Sequence, residues 1–69
     1  MMTTIDARGL SCPQPVLLTQ QALKTQPQQV EVLVDNKTAQ GNVTRFAAKA
    51  GYTVACREEA GDFILTLSK

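Results

Sequence analysis

Residues 29–35 read QVEVLVD and predict the central strand of this protein. The three valines fall on alternate positions, which is the period of a strand that buries one face. Pro27 lies just upstream and ends any helix that precedes the strand. Asp35 and Asn36 follow it, and their side chains suit the N-cap of a helix. The stretch therefore predicts a strand that connects one helix to another.

Upstream of this strand, residues 13–25 predict a first helix. At 100° per residue, most apolar and small side chains fall on one side and the glutamines on the other, with Leu17 as the one apolar side chain that points outward. A short strand at Thr3–Ala7 precedes the helix and is bounded by Gly9.

Downstream, residues 39–50 carry apolar side chains at helical spacing and predict a second helix that ends at Gly51. Gly41 lies inside this segment and costs about 1 kcal/mol relative to alanine in a helix. It is therefore expected either to admit a close neighbour or to mark a helix that begins late.

The last third of the chain predicts two strands. Tyr52, Val54 and Cys56 alternate with more polar residues, and this places Cys56 on the face that points into the core. Residues 58–62 read as a turn around Gly61, and the final strand puts Phe63, Leu65 and Leu67 on one face.

The element order strand-helix-strand-helix-strand-strand predicts an α/β fold, a two-layer sandwich in which a four-stranded mixed sheet carries both helices on one face. The strand-helix-strand units are expected to cross over right-handedly, and the last two strands to form a hairpin. Residues 1–69 are too few for more than one domain.

Composition excludes several function classes. The net charge of +1 provides no strong field for nucleic-acid binding, and the absence of histidine removes cysteine-histidine hydrolysis. Two cysteines are too few for a thiolate zinc site or a disulfide-rich secreted scaffold, so we expect no metal and no cofactor. No apolar run reaches the length of about 18 residues that spans a bilayer. These observations predict a soluble protein of the reducing cytoplasm.

Cys12 is the candidate functional residue. It precedes Pro13 and Pro15 at the start of the first predicted helix, where it is expected to be the N-cap. A thiolate there would face the positive end of the helix dipole and unpaired N–H groups, which lower the pKa of a thiol. Arg8 is expected to add positive charge near the sulfur, and Asp6 to hold Arg8. The competing interpretation is a simple helix start with a small buried cysteine.

Residues 6–16, DARGLSCPQPV, strongly resemble the TusA/SirA/YedF family of small sulfur-carrier proteins and contain its Gly-x-x-Cys-Pro-x-Pro signature. Residues 34–46, followed by Gly51 and Tyr52, look closer to the YedF-like branch that is associated with selenium metabolism. Some members of that branch carry a second domain, so the chain is either a stand-alone carrier or one module of a longer product.

The resemblance implies that Cys12 accepts sulfur as a persulfide from a cysteine desulfurase and relays it to an acceptor protein. It also implies that Gly9 lets the loop turn tightly, and that Pro13 and Pro15 hold the sulfur at the rim. Such a carrier is a sulfurtransferase-type protein that need not turn over independently, and it requires neither a membrane nor nucleic acid as a partner.

Two other functions stay open from the residues. One is a non-catalytic regulatory or interaction module that presents the Cys-Pro-x-Pro helix start to a partner. The other is a thiol redox protein, in which Cys12 would pair with Cys56. The expected core position of Cys56 argues against this pairing.

Overall fold

A computed structural model of the chain describes residues 3–10 and 14–69, which form four strands and two helices. In chain order they are β1 (Thr3–Asp6), α1 (Gln14–Leu23), β2 (Gln29–Val34), α2 (Lys37–Lys49), β3 (Thr53–Glu59) and β4 (Asp62–Ser68). The predicted element order is confirmed. Within the described ranges, neither helix is long and apolar enough to cross a membrane.

The sheet is mixed, and its strand order is β1-β2-β4-β3. β1 pairs with β2 in parallel, whereas β4 pairs antiparallel with both β2 and β3. β4 therefore lies between β2 and β3, and the two edges of the sheet are β1 and β3. This arrangement confirms the predicted four-stranded mixed sheet and the terminal hairpin.

The core lies between the helices and one face of the sheet. Val30 pairs with Leu67 and Val32 with Leu65, so the alternating side chains of β2 and β4 share the helix-covered face. All four are fully buried, and each such side chain stabilises the fold by about 1.5–3 kcal/mol. The buried positions of α2 are Ala39, Val43 and Ala47. Their small size lets the helix approach the sheet closely.

α2 begins as predicted. Asn36 is the N-cap, and its side-chain oxygen accepts a hydrogen bond from the Ala39 N–H at 2.7 Å. The helix already starts at Lys37, so Gly41 lies inside it and does not mark a late start. A Cβ at Gly41 would meet only the flexible end of the Arg45 side chain, at 3.4 Å. Both predicted reasons for this glycine were therefore wrong.

The hairpin turn is shorter than the predicted residues 58–62. β3 extends to Glu59 and β4 begins at Asp62, which leaves Ala60 and Gly61 as a two-residue turn. Both have positive φ, at 52° and 85°, as a type I′ turn requires. The sequence signalled Gly61 but not Ala60, since alanine rarely adopts this conformation.

The structure corrects the position of Cys56, which is exposed. Cys56 pairs with Leu65, so its side chain does lie on the helix-covered side of the sheet. However, β3 is an edge strand, and α2 starts beyond the end of β2 and leads into the beginning of β3. The helix contacts β3, but every residue from Ala55 to Glu59 stays exposed.

Tyr52 and Leu17 lie where the periodicity placed them. Tyr52 is buried, and its hydroxyl donates a hydrogen bond to the Pro27 carbonyl oxygen at 2.7 Å. Leu17 is 44% exposed on the outer side of α1. The periodicity therefore predicted correctly which way these side chains point, although it did not predict the exposure of Cys56.

We expect Gly41→Ala to raise the free energy of unfolding by up to about 1 kcal/mol, because alanine is favoured in a helix and the site has room for a methyl group. Urea unfolding followed by circular dichroism measures the change. A lower midpoint would mean that Arg45 cannot move aside.

Candidate functional site

The site residues that the structure describes lie at the end of the sheet where β1 ends and α1 begins. Asp6 ends β1, Arg8 and Gly9 follow it, and Pro15 lies in the first turn of α1. Cys12 and Pro13 lie outside the described residues. The structure thus describes both sides of the predicted site: the segment that leaves β1 and the helix that starts at Gln14.

Arg8 is held by two carboxylates. Its Nε and Nη2 atoms donate to the two oxygens of Asp6 at 2.9 and 2.8 Å, and its backbone N–H also donates to Asp6 at 3.1 Å. Its Nη1 atom donates to Asp62 Oδ2 at 3.1 Å. Asp62 is the first residue of β4, and β2 lies between β1 and β4 in the sheet. The Arg8 side chain therefore spans the end of β2 and links β1 to β4.

The contact between Asp6 and Arg8 was expected, but the role of Asp62 was missed. Asp62 is 54 positions from Arg8, and in the sequence it looks like an ordinary turn residue next to Gly61. The three side chains carry a net charge of −1, since two carboxylates surround one guanidinium. This favours an anchoring role for Arg8 over a role as a source of positive potential.

The contacts of Arg8 shift the pKa of both Asp6 and Arg8. Hydrogen bonds from the Arg8 side chain, and then from its backbone N–H, lower the pKa of Asp6 from 3.8 to about 2. The pKa of Arg8 is raised, first by its hydrogen bonds to Asp6 and then by the one to Asp62. Both residues are exposed, so salt screens the interaction.

Gly9 is anchored through its backbone. Its N–H donates to Asp35 Oδ2 at 2.8 Å, and its φ of +78° lies in the region that favours glycine. The preceding Ala7 N–H donates to the Leu33 carbonyl at 2.8 Å and so continues the pairing of β1 with β2. The chain therefore stays attached to β2 and to Asp35 as far as Gly9, the first residue of the signature.

Asp35 connects this segment to α2. While Oδ2 accepts from Gly9, Oδ1 accepts a hydrogen bond from the Asn36 side-chain amide at 3.1 Å. Asn36 is in turn the N-cap of α2. Sequence analysis identified Asp35 only as a capping candidate; its contact with Gly9 crosses 26 positions and has no local signal.

The first turn of α1 is fixed to the core. Pro15 is fully buried, and its carbonyl oxygen accepts a hydrogen bond from the buried Thr19 hydroxyl at 2.9 Å. Gln14 and Leu17 are exposed on the other side. The start of the helix thus presents a solvent-facing surface beside a rigidly packed one. Within residues 3–10 and 14–69, no three histidine, cysteine or acidic side chains are grouped so that they could hold a metal ion.

Comparison with known proteins identifies the class to which this fold and site belong. Residues 3–69 match the family described as sulfurtransferase TusA, and the chain belongs to this family.

Two curated relatives and one solved structure are similar to the chain. A candidate sulfur carrier protein of Methanocaldococcus jannaschii is 43% identical over 60 residues, which cover 84% of this chain and 80% of the relative. The candidate sulfur carrier protein YrkI of Bacillus subtilis is 29% identical over 62 residues, 87% of this chain and 83% of YrkI. The crystal structure of a SirA-like protein from Desulfitobacterium hafniense superimposes with a TM-score of 0.87 at 33% identity, covering 99% of this chain and 96% of that one.

We expect Gly9→Ala to lower the free energy of unfolding by about 1–2 kcal/mol, the cost of the left-handed conformation for a residue with a Cβ. Apart from the two neighbours in the chain, no described residue has an atom within 4 Å of the added methyl group, so the substitution tests backbone strain. Urea unfolding measures it, with Gly41→Ala as the matched substitution that should act in the opposite direction. An unchanged midpoint would show that the segment relaxes out of its positive φ.

We also expect the Asp6 carboxyl to titrate at a pKa of about 2, and in Arg8→Gln to return toward 3.8. Because the folded-state pKa is lowered, the stabilisation from Asp6 is present above pH 3.8 and is lost as the pH falls through about 2. NMR of the side-chain carboxyl carbon measures both titrations. An unchanged midpoint in Arg8→Gln would show that Arg8 is not the cause.

Proposed function

We propose that this protein is a sulfur carrier that accepts one sulfur atom on Cys12 from the persulfide of a cysteine desulfurase and passes it to an acceptor protein. The observation that carries the proposal is the match of residues 3–69 to the TusA family, together with the Gly9-x-x-Cys12-Pro13-x-Pro15 signature between β1 and α1. The names of both curated relatives, which describe candidate sulfur carriers, support it.

The transfer consists of two thiol exchange steps. The Cys12 thiolate attacks the outer sulfur of the donor persulfide, the donor S–S bond breaks, and the donor cysteine leaves as a thiolate. Cys12 then carries the persulfide. A thiolate of the acceptor attacks the outer sulfur in the same way, and the Cys12 thiolate is released. No external oxidant or reductant is consumed, so neither metal nor cofactor is needed.

The chain offers ways to activate Cys12 without histidine. Cys12 lies two positions before Gln14, the first residue of α1, where unpaired N–H groups and the helix dipole favour a thiolate. We propose that Pro13 and the buried Pro15 stiffen this helix start, and that Gly9, Arg8 and Asp6 anchor the segment before it. A thiolate relay needs reduced cysteines, which favours the reducing cytoplasm as its location.

Residues 1–69 act in this proposal as one sulfur-carrier domain, whether alone or within a longer protein. Selenium fits the same chemistry, since a selenium atom can replace the transferred sulfur.

One observation favours a second candidate function. Cys56 is exposed, so the core position that argued against a thiol redox protein does not exist. A redox protein would form a disulfide between Cys12 and Cys56, whereas a carrier would work without Cys56.

The test is intact-mass spectrometry under non-reducing conditions after incubation with a cysteine desulfurase and cysteine. We expect the wild type and Cys56→Ser to gain one sulfur atom that reductant removes, and Cys12→Ser to gain none. The same incubation with selenocysteine in place of cysteine tests selenium. Loading that requires Cys56, or an intramolecular disulfide in the wild type, would support the redox function. If no variant is loaded by several desulfurases, the interaction module becomes the better hypothesis.

A further inference from the structure

We propose that Asp35 is a positioning residue for sulfur transfer: its carboxylate fixes the backbone of the loop that carries Cys12. This inference rests on the proposed function. Asp35 lies immediately after β2, and no signature residue is adjacent to it in sequence. Its link to the site is the 2.8 Å hydrogen bond from the Gly9 N–H.

Among the described residues before Cys12, Gly9 is the last one that bonds to β2 or to Asp35, the residue after β2. The backbone ladder between β1 and β2 ends with the Ala7 N–H on the Leu33 carbonyl. Two residues later, the Asp35 side chain takes the place of a strand partner and receives the Gly9 N–H. A bond to an ionised acceptor is roughly twice as strong as a neutral one, which suits an exposed loop.

The position of Gly9 limits the position of the sulfur. Cys12 is three residues further on, and three residues span at most about 10–11 Å. The other end of the segment is set by α1, whose first turn is fixed through the buried Pro15 and Thr19. Fixing Gly9 therefore restricts the region that Cys12 can occupy when a donor persulfide approaches.

Asp35 differs from the other carboxylates of the site. Asp6 and Asp62 hold the Arg8 side chain, and Asp6 also accepts from the Arg8 backbone N–H, two residues away. Asp35 instead binds the loop backbone from 26 positions away, and its second oxygen is held by Asn36, the N-cap of α2. The rigid helix start thus orients the carboxylate, as a supporting residue of a preorganised site requires.

The expected effect is on the transfer step rather than on docking. Misplacement of a reacting atom by about 1 Å costs up to about 100-fold in rate. We expect Asp35→Ala to lower the saturating rate of Cys12 loading about 10-fold or more, with little change in the desulfurase concentration that gives half the maximal rate. Asp35→Asn keeps one acceptor oxygen and should recover part of the rate.

Two control variants separate positioning from stability and charge. Tyr52→Phe removes the hydrogen bond to the Pro27 carbonyl, which lies before β2 at the end opposite Asp35, so it should lower stability without a comparable loss of loading rate. Glu59→Gln removes the exposed ion pair with Arg57, at 2.7 Å on β3, and should leave loading unchanged.

The experiment measures loading of each variant against desulfurase concentration by intact-mass spectrometry, with urea unfolding in parallel. A rate loss in Asp35→Ala, partial recovery in Asp35→Asn and wild-type rates in both controls support the inference. Equal loading of Asp35→Ala and the wild type, or an equal loss in Tyr52→Phe, overturns it. Absence of loading in the wild type instead refutes the proposed function, and so the two failures are distinguishable.

Discussion

The parallel pairing of β1 with β2 is the constraint on which the site depends. It brings the ends of β1 and β2, at Asp6 and Val34, to the same end of the sheet, where Ala7 still bonds to Leu33. In parallel α/β sheets, loops at the carboxyl ends of strands are where ligands and partners bind. The pairing itself is secured by the valines of β2, which are fully buried in the core. Core packing thus determines where the loop starts.

Hydrogen bonds and ion pairs then hold the loop, whose starting point the core packing determines. The guanidinium of Arg8 shares two carboxylates from different strands, and the Gly9 N–H is held by a third, Asp35. Each contact is exposed and individually weak in water. Together they attach one short segment to β1, β4 and the residue after β2. The described part of the site has no pocket and no group of side chains that could hold a metal ion, and its own backbone and the nearest charged side chains hold it in place.

The local parts of this structure could be predicted from sequence, and the non-local parts could not. The strand and helix order, the Asn36 cap and the contact of Asp6 with Arg8 all involve residues within four positions of one another. The contacts of Asp35 and Asp62 join distant positions and depend on the strand order, which periodicity does not give. The exposure of Cys56 depends likewise on how far α2 extends over the edge strand, a matter of helix placement rather than of residue pattern.

The direction of β4 has a consequence for how the molecule can be attached to anything else. The strand starts at Asp62, beside Arg8, and runs to Ser68 at the opposite end of the sheet. There the Lys69 N–H donates to the Gln28 carbonyl, and the Lys69 ammonium lies over the Tyr52 ring. Seven residues of strand separate the two ends by about 20 Å. A label, a surface linker or another domain joined after Lys69 would therefore leave the signature loop unobstructed, so the protein can be tethered by this end and still meet its partners with the other.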